Sequence, residues 1–114
     1  MTIRTLLAEL ALHLKAEARG LDREVTGGYV GDLMSDVLAN GKEGDVWVTL
    51  QIHENVVAVA SARNLAGIIV INGREPEART LAAAEREGVP IMVSDLSSFE
   101  LVGKLHALGV GGKR

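Results

Sequence analysis

Four short polar stretches carry most of the groups in this chain that can bind a ligand or do chemistry. They are Thr26-Gly27-Gly28-Tyr29-Val30-Gly31-Asp32, Gln51-Ile52-His53-Glu54-Asn55, Asn72-Gly73-Arg74-Glu75 and Ser94-Asp95-Leu96-Ser97-Ser98. Each falls where an apolar run gives way to a helical pattern. A junction of that kind offers backbone N–H groups and the positive end of a helix dipole, which suit an anion. Arg74 adds a forked guanidinium that can grip phosphate or carboxylate at two points. His53 and Asn55 are neutral donors at a helix start. The candidate ligand-binding set is Gly27, Gly28, Asp32, Gln51, His53, Asn55, Asn72, Arg74, Ser94 and Ser97, with Arg74 the leading anion contact. Taken singly, each has a plainer reading. Asn, Asp and Ser cap helices and close turns, and glycines serve turns and packing. Convergence of the four stretches is what points to a site.

Sharper chemistry has no support. Lys42, Lys104 and Lys113 each follow a glycine, yet none precedes Ser or Thr, so no phosphate-binding G-x-x-x-x-G-K-[ST] loop exists. The Gly27–Gly31 cluster is not a G-x-G-x-x-G fingerprint, and no G-x-S-x-G elbow occurs. His13, His53 and His106 are too dispersed for a metal motif such as H-E-x-x-H. With no cysteine, a disulfide scaffold, a thiolate metal site and a cysteine nucleophile are excluded. The expectation is therefore no catalytic residue, no metal and no cofactor. What remains of a catalytic reading is a small enzyme using Asp32 or His53 as acid or base.

The elements that would position these residues follow from apolar spacing. Ile3, Leu6, Leu7 and Leu10 predict a helix over 2–10 with Thr2 as N-cap. Residues 12–16 alternate apolar and polar, as a half-buried edge strand does. Residues 18–22 read as a turn around Gly20. Strands are expected over 24–30, 46–51, 67–71 and 89–93, with a helical segment between each pair. That alternation predicts βα units, a mainly parallel sheet of four to five strands, and a three-layer α/β/α architecture with helices on both faces. Residues 67–71 are apolar on both faces, as in a central strand. In 46–52, Trp47, Thr49 and Gln51 alternate with aliphatics, which predicts a less dry face. Asp32 is expected to cap the helix after the first βα junction, with Gly41 ending it. Pro76 is placed as a first-turn proline, with Glu75 and Arg79 pairing across a turn and Gly88 ending that helix. Ser97 and Glu100 form a capping box, Leu96 and Leu101 a staple, and Gly109 a left-handed stop that returns Val110 onto Leu105. Parallel strands would gather all four polar junctions on one rim, beyond the strands' carboxyl ends, where ligands bind in such sheets.

The 114 residues suit one domain, with a folded surface of about 6,000 Å² expected from its mass. We expect a domain over 1–110 and a loose tail over 111–114. Net charge is -3 and aromatics are 3%, which disfavours nucleic-acid polymers as partners. Apolar runs fall far short of the ~20 residues that span a membrane, and Glu9 breaks any signal-like segment, so a cytoplasmic location is expected. The Leu12–Ala16 edge, with Tyr29 and Trp47, predicts a homodimer or larger oligomer.

Asp22-Arg23 followed by Thr26-Gly27-Gly28 spells the letters of the DRTGG domain family in order. Gly31–Val37, Glu43–Gln51, Ile71–Arg74 and Leu96–Leu101 resemble the same family, so the likeness runs over roughly 2–110. It implies an α/β/α module similar to the N-terminal domain of HPr kinase/phosphorylase, in a stand-alone version. Such modules accompany CBS domains and some pyrophosphatases as regulatory pieces. No catalytic residues carry over, because kinase chemistry in those relatives belongs to a separate phosphate-loop domain. The functional expectation is a non-catalytic regulatory module that senses a small anionic, nucleotide-like ligand or serves a partner enzyme. The alternative is an assembly module without a small ligand.

Overall fold

Apolar runs and turn residues set up five α-helices and five β-strands in a computed structural model that describes residues 1–16 and 19–111. In chain order the elements are α1 (Ile3–Glu9), β1 (His13–Ala16), β2 (Gly27–Val30), α2 (Met34–Asn40), β3 (Asp45–Thr49), α3 (Asn55–Ala62), β4 (Gly67–Val70), α4 (Ala78–Glu87), β5 (Ile91–Val93) and α5 (Ser98–Ala107). The sheet order is β1-β5-β4-β3-β2. β2 to β5 are mutually parallel, and β1 pairs antiparallel with β5. The architecture is α/β, and the accessible surface is 5736 Å².

Strand alternation sorts the core into two layers. Trp47, Ile68, Val70, Ile91 and Val93 pack with Val37 of α2, Val56, Val57 and Ala60 of α3, and Ala83 and Ala84 of α4. Val46, Val48, Ile69 and Met92 pack with Ile3 and Leu6 of α1 and Leu101 and Leu105 of α5. Three helices therefore cover one face and two the other. This follows from the strand order, because β2 to β5 step across the sheet in one direction and α2 to α4 fall on the same side of it.

Several local expectations hold. Thr2 caps α1 by accepting from the Thr5 amide at 3.2 Å. Ser97 caps α5, with the Glu100 amide 3.3 Å from its Oγ. Gly88 ends α4 in a left-handed conformation, φ +70°. Past α5, Gly109 has φ +95° and the Val110 amide returns to the Leu105 carbonyl at 3.0 Å.

Others are corrected. β2 begins at Gly27 rather than residue 24, because Glu24 makes only a single bridge to Thr2. β3 has no wet face: every residue from Asp45 to Thr49 is buried, since α2 and α3 cover the Trp47 side. Trp47 is fully buried, so it is no interface residue. Gly41 does end α2, as expected, but in an extended rather than left-handed conformation, and a Cβ there would lie 2.7 Å from the Val37 carbonyl oxygen. α4 starts at Ala78, which leaves Pro76 and Glu75 ahead of it. Glu75 pairs instead with Lys15 at 3.1 Å, and Arg79 with Glu54 at 3.9 Å. Residues 112–114 of the expected tail and Ala18 of the expected turn lie outside the described residues. No helix among the described residues is long and apolar enough to cross a membrane.

Candidate functional site

Because β2 to β5 are parallel, the loops that leave them share one rim. The rim divides into an open half and a closed half. In the open half, Asp32 does not cap α2. Leu33 occupies the N-cap position and makes no side-chain bond. The Asp32 carboxylate reaches across to β3, accepting from Thr49 Oγ1 at 2.9 Å and from the Leu50 amide at 2.7 Å. The Asp32 carbonyl accepts from Gln51 Nε2 at 2.8 Å, and Thr49 Oγ1 also takes the Gln51 amide at 3.2 Å. Charge-assisted bonds of this sort are the stronger class. They pin the start of α2 to the end of β3.

Across that lock lies an open groove of about 560 Å³, lined by Asp32, Leu33, Met34, Ser35, Gln51, His53 and Asn55. His53 Nδ1 lies 2.8 Å from Asn55 Oδ1. Since an amide oxygen only accepts, His53 Nδ1 carries the proton and donates, and Nε2 is the ring's other polar edge. The first amides of α3 are engaged, Val56 to the His53 carbonyl at 3.1 Å and Val57 to the Glu54 carbonyl at 3.0 Å. The groove's polar contacts therefore come from side chains: one carboxylate, an imidazole, two amides and the Ser35 hydroxyl.

The β4–β5 half is closed by its own backbone. Asn72 and Gly73 both have positive φ, +58° and +64°, and the Arg74 amide reaches the Ile71 carbonyl at 3.2 Å. That is a type I′ turn, for which Asn-Gly is the preferred pair. The turn docks on the β5 loop, Asn72 N–H to the Leu96 carbonyl at 2.9 Å and Gly73 N–H to the Ser94 carbonyl at 2.8 Å. Ser94 is buried, and its Oγ accepts the Leu96 amide at 3.1 Å. Ser97 is occupied as the α5 cap. Arg74 is exposed at the boundary of the two halves, with Nη1 donating to the Leu50 carbonyl at 2.9 Å.

Of the ten candidates, the structure brings Asp32, Gln51, His53 and Asn55 together in the groove. Arg74 touches the neighbouring Leu50, while Asn72, Ser94 and Ser97 belong to the closed half. Gly27 and Gly28 are elsewhere. They begin β2 and pair with Asp45 and Val46, at the amino end of the sheet. The Asp22 to Gly28 motif lies at that amino end, and its polar side chains brace it. Arg23 donates from Nη1 to the Leu65 carbonyl at 2.8 Å, and from Nη2 to the Asn64 carbonyl at 3.1 Å and Asn64 Oδ1 at 2.9 Å. Asn64 Nδ2 donates to Glu43 Oε2 at 2.7 Å, and Thr26 Oγ1 to the Glu43 carbonyl at 3.3 Å. Asp22 pairs with Arg4 at 2.9 Å. That hydrogen bond and charge hold the Asp22 carboxyl below the usual aspartate range. Sequence reasoning missed Thr49 in the lock, Ser35 in the groove, and Arg23 and Asn64 in the brace. Thr49, Arg23 and Asn64 carry no local signal, because each acts on a partner distant in sequence.

No family model matches the chain, and no curated protein matches it significantly. Among solved structures it is similar to the CBS and DRTGG domains of the regulatory region of Clostridium perfringens pyrophosphatase, complexed with its activator diadenosine tetraphosphate. The TM-score is 0.73 at 13% sequence identity, over 90% of this chain and 44% of that one. At that identity the likeness is one of fold, and the chain spans less than half the length of that neighbour.

Proposed function

We propose that this chain is a stand-alone DRTGG-type regulatory module, without catalytic activity, that binds a small nucleotide-like ligand in the groove between the β2 and β3 ends. The observation that carries the reading is the groove itself. Asp32, Gln51, His53 and Asn55 converge on about 560 Å³, inside the ~300–1,000 Å³ range of small-ligand pockets. The polar set is two-signed in what it accepts. The Asp32 carboxylate suits hydroxyl donors such as a ribose diol. The Asn55 amide N–H group, oriented by its hydrogen bond with His53, and the Ser35 hydroxyl can donate to a phosphate. A nucleotide carries both. The pyrophosphatase region of similar fold was crystallised with a dinucleotide activator, which agrees with this ligand class. A cytoplasmic, homo-oligomeric setting beside a partner enzyme belongs to the same reading.

The test is calorimetric titration with adenine nucleotides, from AMP to diadenosine tetraphosphate, and with inorganic phosphate. Wild type should bind at least one nucleotide. His53→Ala and Asn55→Ala should each weaken it about tenfold, or ~1.4 kcal/mol. Arg74→Ala should weaken it by a similar ~1.5 kcal/mol, the scale of one charged hydrogen bond. Arg86→Ala, away from the rim, should bind as wild type does. No nucleotide binding, or equal affinity for all five chains, refutes the site. Nucleotide turnover lost on substituting Asp32 or His53 refutes the non-catalytic part.

A further inference from the structure

The two edges of the sheet are built differently. β1 carries His13 and Lys15, paired to Asp95 at 3.4 Å and Glu75 at 3.1 Å, and its register slips between Leu14 and Ala16. Charged side chains and a bulge are the devices that keep an edge strand from pairing with another chain. β2, Gly-Gly-Tyr-Val, has no charge, no proline and no register shift against β3. Beside it lies exposed apolar surface. Val30 is 50% exposed and Phe99 of α5 is 89% exposed, and the two line one open apolar groove with Val102. Phe99 is the chain's single phenylalanine, and nothing in the described chain covers it.

From this contrast we infer that β2 is the homodimer edge, pairing antiparallel with β2 of a second copy about a two-fold axis at Tyr29. This rests on the homo-oligomeric part of the function proposed above and is independent of its ligand. The backbone supplies the register. The Gly31 amide bonds the Val48 carbonyl at 3.1 Å, so Gly31 faces β3. Strand alternation then turns Tyr29 toward β3, and Gly28 and Val30 outward. A two-fold axis at Tyr29 sets each outward Gly28 opposite the other copy's Val30, so both pairs exchange N–H···O bonds. The branched Val30 side chain meets a residue without a Cβ. Self-pairing satisfies both open edges at once and leaves none exposed. A copy with net charge -3 repels its twin, and this uncharged strip is where two copies can approach without like charges opposed. A stable dimer needs about 800 Å² from each partner. Four strand residues do not supply that; Phe99 and Val102 extend the patch on the α5 side of the sheet, and Leu33 and Leu38 are exposed on the α2 side. Val30 is two residues from Asp32, so this interface and the ligand groove share one segment.

The experiment is mass by light scattering over a wide concentration range, with Trp47 fluorescence to confirm folding. Wild type should be dimeric. Val30→Lys and Phe99→Asp should each be folded monomers, and Leu14→Lys on the β1 edge should stay dimeric. The chain has no cysteine, so Tyr29→Cys reports geometry directly. Residues facing each other at a non-hydrogen-bonded site have Cα atoms about 4.5 Å apart, within disulfide reach. Mild oxidation should link Tyr29→Cys into a covalent dimer and leave Leu14→Cys unlinked. A monomeric wild type overturns the proposal together with the homo-oligomeric reading. A wild-type dimer that survives both Val30→Lys and Phe99→Asp, or that links through Leu14→Cys, overturns the surface alone.

Discussion

Arg23→Ala should unfold this protein well before wild type while leaving the rim intact. In the folded chain the Arg23 guanidinium bridges two consecutive carbonyls, Leu65 at 2.8 Å and Asn64 at 3.1 Å, together with Asn64 Oδ1 at 2.9 Å. Leu65 is fully buried. Truncating Arg23 strands its carbonyl, a loss of ~1–3 kcal/mol, while the two more exposed bonds add ~0.5 kcal/mol each. The total is about 3 kcal/mol. An unfolding entropy of ~2.1 cal/mol/K per residue converts each kcal/mol to roughly 4 °C for a chain this size, so Tm should fall by about 12 °C. Arg23→Lys keeps the charge but cannot fork across three acceptors, and should lose about half as much. Thermal unfolding followed by Trp47 fluorescence measures all three chains. A Tm for Arg23→Ala within ~2 °C of wild type, or a lysine variant as stable as the parent, refutes the idea that Arg23 clamps the turn between α3 and β4.

Gly44 has φ +86°, and a Cβ there would collide with Thr26 Oγ1. Gly44→Ala should therefore lose at least ~2 kcal/mol in denaturant unfolding, and adding Thr26→Ala should restore only part, since the left-handed backbone remains strained. Trp47→Phe deletes the Nε1–H bond to the Gly31 carbonyl at 2.8 Å and should destabilise by ~1–3 kcal/mol, read by circular dichroism. Asp22 has a lowered pKa, first through its hydrogen bond from Arg4 and then through the Arg4 charge. Its contribution is present above the unfolded aspartate pKa and lost as pH falls through the lowered folded value. Tm against pH should show a small acid-side loss in wild type that Asp22→Asn lacks and that added salt reduces, because both side chains are exposed.

Signals contained within one turn of chain were legible. Ser97, Glu100, Gly109 and Val110 specify both ends of α5 without help from the rest of the fold. Signals whose partner is remote misled. Asp32 looks like a helix cap because aspartate before a helical run usually is one. Its partners Thr49 and Leu50 are 17 and 18 residues away, and no local rule reports them. The Trp47, Thr49, Gln51 alternation resembles a half-wet strand, since each of those side chains is amphipathic. The polar atoms of Trp47 and Thr49 are satisfied internally, by Gly31 and Asp32. Gly27 and Gly28 open β2 instead of following it, because a Gly-Gly pair marks a strand boundary without saying which one.

The two ends of the sheet constrain where any ligand can act. At the amino end Arg23, Thr26, Glu43 and Asn64 hydrogen-bond to one another's segments, so a ligand there would have to break a brace. At the carboxyl end, the β4 and β5 loops already satisfy each other through the Asn72-Gly73 turn and Ser94. Adjacent loops that leave a sheet toward opposite faces ordinarily open a crevice, the usual ligand site in such folds. α4 and α5 do diverge in this way, yet the turn fills the gap. The groove proposed as the ligand site lies at the β2–β3 end, where the Asp32 lock fixes one wall beside His53, Asn55 and Ser35. A ligand entering there would meet α2 and the segment leading from β2, an edge strand of the sheet. On the proposed reading, a ligand there would touch the same segment that the proposed dimer edge uses, so the two could be coupled through residues 30–32.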